Sequence, residues 1–325
     1  MNMSAKDNGL REVDMEQRKI GALEVSTVGL GTNNFGGRLS VKDSASVLDA
    51  AVDAGINFID TADIYNRTAS ESCIGEWLRH QKRDESVIAT KFGLPFGDHR
   101  GGASPDYVKW SLEGSLRRLR TEYVDLFILH RPDPRVPIAH TLEALADLVT
   151  EGKVLEIGCS GFSREQLVEA GTAASTVGLR FVNLQSEYSL LKRSAEDELL
   201  PSCRALNIGF TAYRPLAHGL LSGKYRRGQE VPSGARLASV SEQERNRFLS
   251  PQNLDVVEAL AQFAADRGRT VLEIAVARLL GHQEVSSVIA GAMSPEQITV
   301  NAGAGNSPLT TAEIAAVDDI TDHLR

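Results

Sequence analysis

Apolar positions along this chain recur in two alternating rhythms. Short continuous runs such as INFI (56–59), SVIAT (86–90), VDLFIL (124–129), VLEIGC (154–159), FVNL (181–184) and NIGFTA (207–212) read as buried strands. Between them the apolar positions are spaced as on one helix face, as in Ala45, Leu48, Ala51 and Val52, or Ile74, Trp77 and Leu78. Each of the six runs delivers a polar or aromatic group at its C-terminal end: Asp60, Lys91, His130, Ser160, Gln185 and Tyr213.

The pattern predicts a hairpin turning at Gly21, then strand 28–31, a helix over 42–54 stopped by Gly55, strand 56–59, helix 70–81 and strand 86–90. A helix with Ser104 as N-cap and Pro105 in its first turn follows, to about residue 120. The alternation continues through strand 124–129, helix 137–150, strand 154–159, helix 163–173, strand 181–185, helix 195–206, strand 208–212, helices 253–267 and 271–281, strand 285–290 and helix 294–304. A further helix at 311–324 lies outside the last unit. Strands and helices alternating this regularly argue for a parallel sheet, and eight units for a single (β/α)8 TIM barrel whose N-terminal hairpin covers the floor. Active-site groups then collect at the C-terminal mouth, rimmed by the glycine-rich loop 92–105 and crossed by the polar excursion 216–251.

Composition narrows the function. No shift along the 325 residues marks a second domain, so residues 16–325 read as one barrel behind a polar leader, 1–15, expected to be disordered. A net charge of −8 with only short basic runs argues against a nucleic-acid surface. No apolar run approaches the roughly 20 residues of a membrane span, and the leader lacks the apolar core of a signal peptide. Three cysteines, Cys73, Cys159 and Cys203, without metal-like spacing fit reduced thiols in a cytoplasmic protein, and no motif supports a metal. The oligomeric state has no signature.

Three motifs are decoys. GLGTNNFGG (29–37) has its third glycine at the wrong spacing for a dinucleotide fingerprint, and GLLSGKY (219–225) is one residue short of a P-loop. GCSGF (158–162) lacks the glycine placement of a nucleophile elbow. Asp60, Tyr65, Lys91 and His130, by contrast, make one chemistry. A phenol acts as a general acid near neutral pH when a neighbouring ammonium stabilises its phenolate, so the phenol is expected below its ordinary pKa. Asp60 can hold that ammonium, and His130 can donate to a carbonyl oxygen.

FIDTADIY, VIATKFG, YVDLFILHRPDP, IGCSGFS, VNLQSEYSLL, AYRPLAHGLLSGKY and VIAGAMSPEQITVN, in that order, resemble the aldo-keto reductase superfamily from about residue 16 to the C-terminus. The resemblance implies a nicotinamide cofactor extended across the barrel mouth and reduction of a small carbonyl substrate. It makes Tyr65 the proton donor, Asp60 and Lys91 its partners and His130 the carbonyl-orienting group. Ser160 and Gln185 would hold the carboxamide, Tyr213 would stack on the ring, and Gly291, Gln297 and Asn301 would bind the adenosine end. Gly31, Thr32, Gly161, Arg214, Leu216 and Lys224 complete the implied cofactor groove. Ser294 to Gln297 reads as a capping box opening a phosphate-friendly helix.

The chain departs from the family at Gly161, where an asparagine is common, at Arg214 and at Arg131, beside the stacking tyrosine and the histidine. Met293 stands where a basic residue often reads a 2′-phosphate, while Lys224, Arg226 and Arg227 favour NADPH over a possible NADH. Two other functions compete: a nicotinamide-binding sensor or auxiliary subunit, and a Schiff-base lyase on Lys91, which Asp60 disfavours by keeping the lysine charged.

Overall fold

In the computed structural model, residues 15–81, 83–95 and 100–322 are described. The hairpin pairs β1 (Gln17–Ile20) with β2 (Leu23–Ser26) antiparallel. The eight strands are β3 (Val28–Gly31), β4 (Phe58–Asp60), β5 (Val87–Phe92), β6 (Val124–Leu129), β7 (Val154–Ser160), β8 (Phe181–Glu187), β9 (Gly209–Tyr213) and β10 (Val285–Gly291). Each pairs in parallel with the next, and β10 returns to β3, so the sheet closes with no free edge.

Closure separates two cores. Phe58, Ala89, Leu126, Ile128, Val182 and Ile289 fill the interior, and Ile20 and Val25 of the hairpin plug it from below. Gly29 carries no side chain because Phe58 takes its space: a Cβ there would sit 2.7 Å from the Phe58 ring. Since inward positions alternate, Phe58 passes its orientation to Asp60, Ala89 to Lys91, Ile128 to His130 and Ile289 to Gly291. The polar groups at these strand ends therefore form the upper layer of the interior.

The outer layer comprises α1 (Val41–Asp53), α2 (Ala69–Leu78), α3 (Pro105–Leu119), α4 (Ile138–Thr150), α5 (Arg164–Thr176), α6 (Leu199–Leu206), α8 (Pro251–Ala265), α9 (Val271–Leu280), α10 (Pro295–Gly305) and α11 (Thr311–Thr321), with α7 (Glu242–Phe248) in the excursion. Ser104 caps α3 as expected, accepting from the Tyr107 N–H. Two expectations are corrected. The helix over 195–206 is a short 3-10 turn at Ser194–Glu196 followed by α6, because Pro201 lacks an N–H and its ring clashes with the carbonyl four residues earlier. Ser294 is the N-cap of α10 but makes no side-chain cap bond; the Gln297 Oε1 accepts instead from the Met293 N–H at 2.9 Å. Leader residues 1–14 and positions 323–324 of the final helix lie outside the described residues, whereas Met15 is buried and accepts from Thr27 Oγ1 at 3.6 Å.

The final helix is tied to the barrel wall by buried charge. Arg193, fully buried, donates to Glu196 at 2.7 Å and pairs with Asp318 of α11 at 2.8 Å, and Asp318 also pairs with Arg278 of α9 at 2.7 Å. Tyr188 donates to Glu196 at 2.7 Å. Removing one member of such a set leaves charge that burial cannot tolerate. Arg193→Met is expected to lower the unfolding free energy by about 3 kcal/mol, the low end for a broken buried pair, measurable as a fall in the denaturant midpoint at unchanged m-value.

Candidate active site

Lys91 is the centre of the site. Its side chain is 0% exposed, and Nζ donates to Asp60 Oδ2 at 2.8 Å, to the Thr61 carbonyl at 2.7 Å and to the Tyr65 hydroxyl at 3.1 Å. Three donors therefore meet three oxygens, which leaves no proton of the buried ammonium unsatisfied. Asp60 is held from the other side by Gln185 Nε2, which donates to Oδ1 at 2.8 Å, and its backbone carbonyl accepts from Thr32 Oγ1 at 2.9 Å. Gln185, which the family pattern would aim at a carboxamide, thus first serves to orient Asp60.

Tyr65 stands on a turn rather than a strand. Its N–H bonds the Ala62 carbonyl at 3.2 Å, and the next three residues, Asn66, Arg67 and Thr68, all adopt positive φ (49°, 53° and 76°). Asn66 Nδ2 locks this turn by donating to the carbonyls of Asn33 and Phe35 at 2.9 and 2.7 Å. The side chain of Tyr65 is thereby aimed back over the barrel interior, its ring nearly perpendicular to that of His130 with centroids 6.1 Å apart.

Burial raises the pKa of the Tyr65 hydroxyl; the Lys91 ammonium pulls it down and Asp60 pushes it up. The expectation of a phenol below its ordinary value is corrected, because in this site desolvation outweighs an ammonium already shared with a carboxylate. Tyr65 is held protonated, as a proton donor must be. Burial works against the charge on Lys91, but Asp60 and then Tyr65 outweigh it, and the net shift is upward. A charged lysine removes the Schiff-base reading, which needs a neutral amine. His130 is lowered to about 3 by burial and by the Lys91 and Arg131 charges. Its Nδ1 is buried without a hydrogen-bond partner among the described residues.

Above these groups opens a cavity of about 760 Å³. Asp60, Tyr65 and His130 line it, with Lys91 directly beneath. All twelve positions that the sequence assigns to a cofactor, Gly31, Thr32, Ser160, Gly161, Gln185, Tyr213, Arg214, Leu216, Lys224, Gly291, Gln297 and Asn301, line the same cavity. Gly161 has φ +66°, and a Cβ built there would meet only the Arg131 Cγ, at 4.0 Å.

Arg226 and Arg227 do not line the cavity: Arg227 turns outward to Asp255 and, at 3.5 Å, to Glu258. Arg38 and Arg236 line it instead, and sequence reasoning missed both. Arg236 lies on a 3-10 turn, Arg236–Ser239, inside the excursion and donates to Asn34 Oδ1 at 3.2 Å, while Arg38 donates to the Gly234 carbonyl at 2.7 Å. The only signal in the sequence was for Arg236, which lies in the excursion placed over the mouth; Arg38 had none. Burial, then Arg38 and Arg214, lower the Arg236 pKa, and burial, then Arg38, lower that of Lys224. Among the described residues none of Arg38, Lys224 and Arg236 forms an ion pair with a carboxylate, so this wall of the cavity is positively charged.

A closed eight-stranded parallel barrel carrying this tetrad defines the class, and sequence comparison agrees: residues 27–322 match the aldo/keto reductase family. The chain belongs to that family. An aldo-keto reductase of Strobilurus tenacellus is 35% identical over 318 residues, 94% of this chain and 91% of the relative. L-glyceraldehyde 3-phosphate reductase of Escherichia coli (strain K12) is 32% identical over 326 residues, 96% and 94% of the two chains. A relative from Oryza sativa subsp. japonica, named as a probable voltage-gated potassium channel subunit beta, is 34% identical over 310 residues, 92% and 94% of the two chains.

The depressed His130 pKa has a measurable consequence. Its folded value, about 3, lies below the ordinary 6.5, so the unfolded state takes up the proton first. Stability attributable to this site is therefore full above about pH 6.5 and falls as pH drops toward 3. The His130 ring resonances are expected not to titrate between pH 5 and 8 in NMR spectra, and His130→Gln should flatten the acid limb of stability against pH.

Proposed function

We propose that the chain is an NAD(P)H-dependent reductase that converts an aldehyde or ketone to an alcohol with Tyr65 as proton donor. The observation that carries this reading is the Lys91 ammonium in simultaneous contact with Asp60 Oδ2 and the Tyr65 hydroxyl, 2.8 and 3.1 Å away, beneath the cavity. Membership of the aldo/keto reductase family and relatives named as reductases support it. Three buried free cysteines fit a cytoplasmic location.

The residues present suit a dinucleotide. Cations without an ion pair among the described residues on the Arg38, Lys224 and Arg236 wall match phosphates, Gly31 and Gly291 leave the groove open to close approach, and Tyr213 offers a ring face. The reduced nicotinamide, when bound, supplies the hydride. A substrate carbonyl between Tyr65 and His130 meets two neutral donors, which stabilise the negative charge that develops on its oxygen. The Tyr65 proton passes to that oxygen, and Lys91 stabilises the phenolate left behind, with Asp60 fixing the ammonium. Gln185 prevents Asp60 from turning away from this task.

NADPH is favoured over NADH because the cations outnumber the carboxylates on the wall where the phosphates would lie, Glu296 being the acidic residue there. A second reading, a nicotinamide-binding auxiliary subunit with slow turnover, draws on the potassium-channel beta-subunit name of the rice relative. The intact tetrad favours the enzyme.

Tyr65→Phe is expected to reduce turnover by at least about 100-fold, the lower end of a general acid's contribution, with the cofactor dissociation constant nearly unchanged. Retention of near-wild-type turnover across a panel of aldehydes, ketones and sugars would exclude Tyr65 as the donor; no turnover in the wild type, with tight cofactor binding, would favour the auxiliary subunit. Fluorescence titration tests the cofactor assignment. Arg236→Ala should weaken NADPH about tenfold, the factor corresponding to 1.4 kcal/mol, and NADH less; added salt should weaken NADPH more steeply than NADH.

A further inference from the structure

The cations of the cavity wall divide into two groups. Arg38, Arg214, Lys224 and Arg236 lie on the segments that follow β3 and β9, whereas Arg131 directly follows His130 at the end of β6. In the closed ring β6 is four places from β10 in either direction, so Arg131 rises from the side of the mouth opposite Gly291 and α10. Eight strands about 4.8 Å apart and tilted by about 36° enclose a ring roughly 15 Å across, farther than an arginine side chain extends. Phosphates held at the β3 and β9 side are thus beyond the reach of Arg131.

Arg131 is also uncommitted. It is exposed, lines the same cavity as Tyr65 and His130, and makes no ion pair or side-chain hydrogen bond among the described residues. The carboxylate nearest in sequence, Asp133, is taken: it accepts from Arg135 at 2.8 and 3.0 Å and from the Ala103 N–H at 3.1 Å. Arg214, across the cavity, has Glu187 at 3.6 Å. The space beside Arg131 is open on the β7 side, since a Cβ on Gly161 would meet its Cγ at 4.0 Å and no other atom within that distance. A chain of net charge −8 therefore exposes a guanidinium that is unpaired among the described residues, beside His130 and with room around it.

We infer that Arg131 is a specificity-determining residue and that the substrate is a carbonyl compound carrying an anionic group, a carboxylate or a phosphate monoester. This rests on the reductase reading above. Because Arg131 and His130 are adjacent in the chain and line the same cavity, one small substrate can meet both side chains. A guanidinium presents paired N–H groups that match the two oxygens of either anion.

The test compares matched aldehydes that differ in charge: 4-oxobutanoate with butanal, and glyceraldehyde 3-phosphate with glyceraldehyde. Initial rates are measured with the wild-type chain, Arg131→Met and Arg131→Lys at saturating NADPH. In the wild type kcat/KM is expected to favour the anionic member of at least one pair by about tenfold, as suits one partly exposed charge-assisted contact. The larger preference identifies carboxylate or phosphate as the natural group. In Arg131→Met the preference should collapse toward one, mainly through a higher KM for the anion, and Arg131→Lys should restore part of it. Added salt should erode the wild-type preference and leave that of Arg131→Met unmoved. Reduction of all four aldehydes without a charge preference, or a preference that survives Arg131→Met, overturns the inference and leaves the reductase reading intact. No reduction of any aldehyde, with NADPH shown to bind, overturns both.

Discussion

A lysine ammonium with no exposure to water is the constraint around which this molecule is organised. Removing that charge from solvent costs several kcal/mol unless each of its protons finds an oxygen. The barrel supplies them from a single strand end: Asp60 and Thr61 from β4 and its exit, and Tyr65 from the turn beyond. Tyr65 can meet Lys91 only because three residues at positive φ fold the chain back, and those residues hold because Asn66 bonds the loop after β3. The same pair keeps the neighbouring groups in useful protonation states. Lys91 stays charged and its field, added to burial, keeps His130 neutral.

The distribution of charge extends the same logic outward. The chain is acidic overall, yet the cavity wall carries Arg38, Arg131, Arg214, Lys224 and Arg236. Burial first, and then the neighbouring cations, lower the pKa values of Lys224 and Arg236. The fold tolerates this because its stability is secured elsewhere, in the hairpin plug under the barrel and in the buried Arg193, Glu196, Arg278 and Asp318 set behind it.

The fold was legible in the sequence because each barrel strand is buried on both sides and reads as an apolar run, with helices of clear period between. Strand ends were also legible: an inward parity that begins at Phe58 must end at Asp60, and the same holds for Ala89 and Lys91. Where local chemistry competes with a pattern, the reading failed. Pro201 split a helix that apolar spacing had joined, and the Gln297 side chain took the Met293 N–H in place of the Ser294 N–H that a capping box requires.

Sequence alone determined which strand-end groups stand at the barrel mouth, since strand periodicity is a local property carried by each run. Tertiary structure alone decided which of them touch and with what electrostatic result. Gln185 and Asp60 are 125 residues apart, and nothing local says that the amide will hold the carboxylate. Arg227 and Arg236 look alike in sequence, yet one turns out to Asp255 and the other into the cavity, because loop 216–251 has no periodicity and is shaped by what it packs against. The Tyr65 pKa likewise depends on the balance of desolvation against Lys91, which exists only once the chain has closed over both.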